Sequence, residues 1–135
     1  MGLSRLFYFQ YQSQGQQQEL VLPFQDDWFP VNPILVAFGA NLKRVRKKLQ
    51  AYPHEMIPFA ESRGNPTMCL TPDSFDKWLL SLNPNYYAQP ELIKHFQKFL
   101  VRCMKDFLEE VKRDQEREEL EQQIRPLAPN VEVEY

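Results

Sequence analysis

Hydrophobic and polar positions set the order of elements before any composition is considered. "LFYFQY" (residues 6–11) is dense in aromatics and "ELVLPF" (19–24) in aliphatics, and both predict strands. Pro23 pushes the second towards a sheet edge. Between them "QSQGQQQ" (12–18) predicts a glutamine-rich hairpin loop. "QDDWFPVNP" predicts a turn, a short extended piece through Trp28, Phe29 and Val31, and a helix start in which Asn32 caps and Pro33 occupies the first turn. That helix carries Ile34, Leu35 and Phe38 and stops at Gly39. Asn41 is placed to cap a second helix, Leu42 to about Gln50, whose Leu42, Val45 and Leu49 recur at the spacing of a buried stripe.

"HEMIPFA" and "TMCLT" predict two strands around the turn "ESRGNP". Thr71, Pro72 and Asp73 open a helix through "SFDKWLL", which ends over Ser81 to Pro84. After a connector, Pro90 starts a long helix with an apolar stripe of Leu92, Phe96, Phe99, Leu100, Cys103, Phe107 and Val111. Beyond it "KRDQEREELEQQ" is nearly all polar, the pattern of a solvated helix or the start of a weak coiled coil. The expected fold class is α+β: short antiparallel hairpins, a short helix pair of helix-turn-helix type, one medium helix and a long C-terminal helix. Residues 1–115 are expected to form a single domain, and 116–135 a polar helix extension and a proline-containing tail.

Composition narrows the function. The chain has 135 residues, 43% of them hydrophobic and 13% aromatic, enough for one folded core. Its net charge of −2 excludes a polycation that coats nucleic acid, so any nucleic-acid face must be local. No apolar run suits a signal peptide or a membrane span, which points to a cytoplasmic protein. Cys69 and Cys103 stand apart, and with His54 and His95 they show no metal-ligand spacing; two buried thiols in a reducing compartment are expected, with no metal and no cofactor.

The chemistry-bearing candidates are few. Lys43, Arg44, Arg46, Lys47 and Lys48 crowd one short helix after a glycine turn. Lys43, Arg44 and Lys47 face away from the stripe, where they suit phosphates or guanine edges, an acidic protein, or solvent alone. Trp78, Tyr86 and Tyr87 are candidates for a protein-binding patch, with core packing as the competing reading of Trp78. No nucleophile elbow, phosphate-cradling glycine loop or HExxH helix occurs. The adjacent pair Asp26–Asp27, Glu55 beside His54, and a Cys69 thiol paired to His54 or His95 are weak enzyme candidates. The expectation is a protein that is not an enzyme.

Three stretches carry a family resemblance: "VNPILVAFGANLKRVRKKLQ", "MCLTPDSFDKWLLSLNPN" and "ELIKHFQKFLVRCMKDFLEEV". Across residues 19–115 the chain resembles the N-terminal domain of phage antirepressors, related to the BRO amino-terminal domain of viruses. Phe96–Gln97 stands where that family usually has a tyrosine–glutamine pair. Ala40–Asn41–Leu42 departs from its Leu-Asp-Trp, and relatives often continue into a second domain. The resemblance implies a phage or prophage regulator in a bacterial host that binds a repressor and blocks it. The alternatives are a regulator that binds double-stranded DNA through helix 42–50, and an inhibitor of a host defence protein or enzyme. Any homo-oligomer would use the long helix between Phe96 and Val111.

Overall fold

Gln14 and Gly15 have φ of 54° and 75°, the left-handed pair of a tight hairpin turn whose twist matches the strands it joins. The computed structural model, which describes residues 5–124, therefore closes its first hairpin on two residues. Strand β1 (Arg5–Ser13) pairs antiparallel with β2 (Gln16–Phe24) along its whole length. The glutamine run expected as a loop is mostly strand. Gln17 donates to Gln10 at 3.1 Å and Gln10 donates to Glu19, so these side chains satisfy one another across the outer face. Pleating sends Phe7, Phe9, Leu20 and Leu22 into the core and leaves Leu6, Tyr8 and Val21 exposed.

A second sheet has the order β3 (Phe29–Pro30), β5 (Pro66–Leu70), β4 (Glu55–Pro58), all antiparallel. Among the described residues four α-helices accompany the sheets: α1 (Asn32–Phe38), α2 (Leu42–Leu49), α3 (Pro72–Leu80) and α4 (Pro90–Ile124). The α+β class expected from the sequence is the class observed.

Helix starts follow the local chemistry with one exception. The Thr71 side chain accepts from the Ser74 N–H at 3.4 Å, and Pro72 and Asp73 fill the first turn of α3. At α1 the expected Asn32 cap is not made. Val31 is the boundary residue, because its N–H is held by the Met68 carbonyl of β5 at 3.1 Å while its own carbonyl accepts from Ile34 and Leu35. Asn32 becomes the first helical residue, and its side-chain oxygen is buried without a partner among the described residues.

The described residues divide into two compact units, the first ending at Met104 and the second beginning at Lys105. The first holds both sheets, α1 to α3 and α4 as far as Met104. Its centre is aromatic: the Phe96 ring lies 5.6 Å from Phe9, 5.2 Å from Tyr11 and 5.1 Å from Phe38. Gln97, next to it, donates through its amide to the Leu79 and Leu82 carbonyls, at 3.0 Å each, and so ties α4 to the end of α3 and the turn beyond it. The buried face of α4 is Leu92, Ile93, Phe96, Leu100, Val101 and Met104. Phe99, Cys103, Phe107 and Val111 are half-buried, so the stripe is rotated from the expected one and Cys69 is the one fully buried thiol among the described residues.

Within the second unit the described part of α4 is exposed from Lys112 to Gln123. Met104 is the last wholly buried side chain of the described helix and the last residue of the first unit. Phe96, Leu100 and Met104 are interior to the first unit, which removes them from the face expected to carry self-association. The proline-containing tail lies outside the described residues.

Phe96→Ala is expected to lower unfolding free energy by about 3–5 kcal/mol, read from urea denaturation. A loss no larger than that of the exposed-site control Leu120→Ala would contradict the central role of this ring.

Candidate binding face on the basic helix

The helix pair is built by two small devices. Gly39, at φ 69°, ends α1, and the N–H groups of Gly39 and Ala40 return to the Val36 and Leu35 carbonyls at 3.0 Å each. This closure needs a left-handed residue, which glycine supplies without steric cost. Asn41 then caps α2, its side-chain oxygen accepting from the Arg44 N–H at 3.1 Å. Val45 and Leu49 are buried and fix the roll of α2.

The expected basic face is formed as a consequence. Lys43, Arg44, Lys47 and Lys48 are exposed and Arg46 is half-buried, its Nε donating to the Leu42 carbonyl at 3.2 Å. None of the five pairs with a carboxylate among the described residues. The sequence carries no acidic residue between Asp27 and Glu55, so α2 has no local carboxylate to neutralise it. Arg46, Lys47 and Lys48 lie in the last turn, where the negative end of the helix favours positive charge.

Beside this face lies a groove of about 440 Å³. Lys43, Arg46 and Lys47 of α2 line one side, and Met56, Pro66 and Met68 of the β4–β5 hairpin line the other. No acidic residue contributes to its wall. The sequence reading missed this groove, since it joins segments that are adjacent only after folding. Strand alternation in "EMIP" does carry a signal for it: Ile57 turns inward, so Met56 turns out and stays 56% exposed.

The three aromatic candidates separate. Trp78 is 5% exposed, its ring 6.4 Å from Phe38 and 5.4 Å from Phe75. It packs in the core, the competing reading given for it from sequence, and offers almost no surface to a partner. Tyr87 is half-buried against Phe38 at 6.3 Å, and burial raises its phenol pKa. Tyr86 alone stands out, 86% exposed in the single turn Pro84–Tyr86. A second apolar surface, also missed from sequence, is the outer face of the first hairpin at Leu6, Tyr8 and Val21.

Asp26 and Asp27 occupy a turn closed by two 3.0 Å bonds between Gln25 and Trp28. The His54 ring bonds the Tyr52 carbonyl, and His95 lies among Phe9, Phe96 and Phe99. The Cys69 thiol donates to the Thr67 carbonyl at 3.4 Å rather than to an imidazole. Among the described residues no three His, Cys, Asp or Glu side chains come together as a metal site, and no helix is long and apolar enough to cross a membrane. No family model, curated protein or solved structure matches this chain.

Burial pushes the Cys69 thiol up to about 12. A neutral thiol is thus favoured in the folded state, and the stability it contributes is full below the ordinary thiol value of 9.0 and lost as pH rises towards 12. In native protein at pH 8, Cys69 is expected to resist iodoacetamide and to label only on unfolding in urea, as read by peptide mass spectrometry. Rapid labelling of the native thiol would contradict its placement.

Proposed function

We propose that this chain is a non-enzymatic regulator of phage or prophage origin that works in the bacterial cytoplasm by binding a repressor, or a comparable regulatory protein, and blocking it. The basic face of α2 is where it holds that partner. The observation that carries the reading is the set of five cationic side chains on α2 with no carboxylate partner among the described residues. The resemblance of residues 19–115 to antirepressor N-terminal domains supplies the class of partner, and the exposed side chains of Tyr86 and the outer hairpin face supply apolar surface for a protein contact.

A second reading, a regulator that binds double-stranded DNA through α2, draws support from the glycine turn between α1 and α2 and from the outward Lys43, Arg44 and Lys47. The two readings differ in salt dependence and in stoichiometry. Under the first, the chain forms a stoichiometric complex with a phage repressor, weakened by about tenfold or more in the Lys43/Arg44/Lys47 triple alanine variant, and a mixed-sequence duplex does not compete. Duplex binding that falls steeply with salt and is lost in the same variant, with no repressor captured, would move the function to DNA.

A further inference from the structure

We propose that the groove between α2 and the β4–β5 hairpin receives an extended segment of the partner protein in which acidic and apolar side chains alternate. This rests on the reading of α2 as the partner-holding face and names the chemistry that the face selects. The groove has two unlike walls. Lys43, Arg46 and Lys47 line it with cations, the exposed Met56 and Pro66 with apolar surface, and Gln50, Thr67 and the largely buried Met68 complete its lining together with Asn32. An extended chain sends successive side chains to opposite sides, so a segment of alternating character meets both walls at once. Carboxylates lie against α2, and aliphatic or aromatic side chains lie against the exposed Met56, whose unbranched thioether adapts to varied apolar shapes.

Two further features favour a peptide over a nucleic-acid backbone. A phosphodiester would satisfy the cations and leave the exposed Met56 facing charge. Asn32 also lines the groove, and its side-chain oxygen is a buried acceptor without a donor among the described residues. A peptide backbone carries N–H donors and a phosphodiester carries none. The groove volume of about 440 Å³ suits a few residues of such a segment.

The test is fluorescence anisotropy with the full chain and a labelled peptide alternating glutamate and leucine, beside a glutamate–serine peptide, a lysine–leucine peptide and a mixed-sequence duplex. The glutamate–leucine peptide is expected to bind tightest. Lys47→Glu should weaken it about tenfold and Met56→Ser about fivefold. Both positions are exposed, so neither change removes core packing. Equal binding of the glutamate–serine peptide or the duplex, insensitive to Met56→Ser, would overturn the proposal and leave a simple polyanion face. Absence of any peptide binding by the wild type would overturn it too. Sedimentation that shows self-association abolished by Lys47→Glu would identify the occupant as a second copy and overturn it in favour of a dimer. Failure of the groove is separable from failure of the functional reading. Repressor capture lost in the triple alanine but unchanged in Met56→Ser removes the groove alone, whereas capture intact in the triple alanine removes the reading beneath it.

Discussion

The ring of Phe96 packs against those of Phe9, Tyr11 and Phe38, with centroids 5.1 to 5.6 Å away. Through them α4 is bound to the first hairpin and to the last residue of α1. Each such ring pair adds roughly 0.5–1.5 kcal/mol beyond the area it buries. Phe38 in turn meets Trp78 of α3 and Tyr87 of the connector. The end of α1 is thereby fixed from several sides, and Gly39 turns the chain immediately beyond it. The direction of α2 follows from that turn, and the outward placement of its cations follows from the burial of Val45 and Leu49. The basic face is thus set by an aromatic cluster to which it contributes no side chain.

The surface of α2 works against its own stability. Lys43 with Lys47, and Arg44 with Lys48, are like charges one turn apart, and each such pair costs about 0.2–0.5 kcal/mol in a helix. No acidic residue opens the helix to suit its positive end. The helix is held instead by the Asn41 cap, by its two buried side chains and by the helix end that tolerates Arg46, Lys47 and Lys48. An acidic partner relieves this repulsion. That is the physical sense in which the proposed function and the cost of the free surface belong together.

Local chemistry made much of this legible from sequence. The glycine stop at Gly39, the Asn41 and Thr71 caps, and the proline starts at Pro72 and Pro90 are short-range signals, and each marks an element boundary in the fold. Other features depended on how the chain folds around them. The glutamines of residues 16–18 became strand because Gln14 and Gly15 adopt the left-handed turn that lets full-length pairing continue. Asn32 lost its cap to the pairing of Val31 with Met68. The stripe of α4 could be drawn along either of two adjacent rows, and the packing of Phe96 and Leu100 selected the row that includes Ile93, Val101 and Met104. Trp78 as core rather than surface, and the groove beside α2, required knowing what α1 and β5 bring alongside.

The most direct test of α2 and its groove as the binding face is residue-resolved NMR mapping with the glutamate–leucine peptide added to the isotopically labelled chain. The account predicts that shifted amides cluster in α2 and in the facing strands β4 and β5, with the outer face of the first hairpin and Tyr86 unmoved. Shifts concentrated at Leu6, Tyr8 and Val21, with α2 silent, would contradict it.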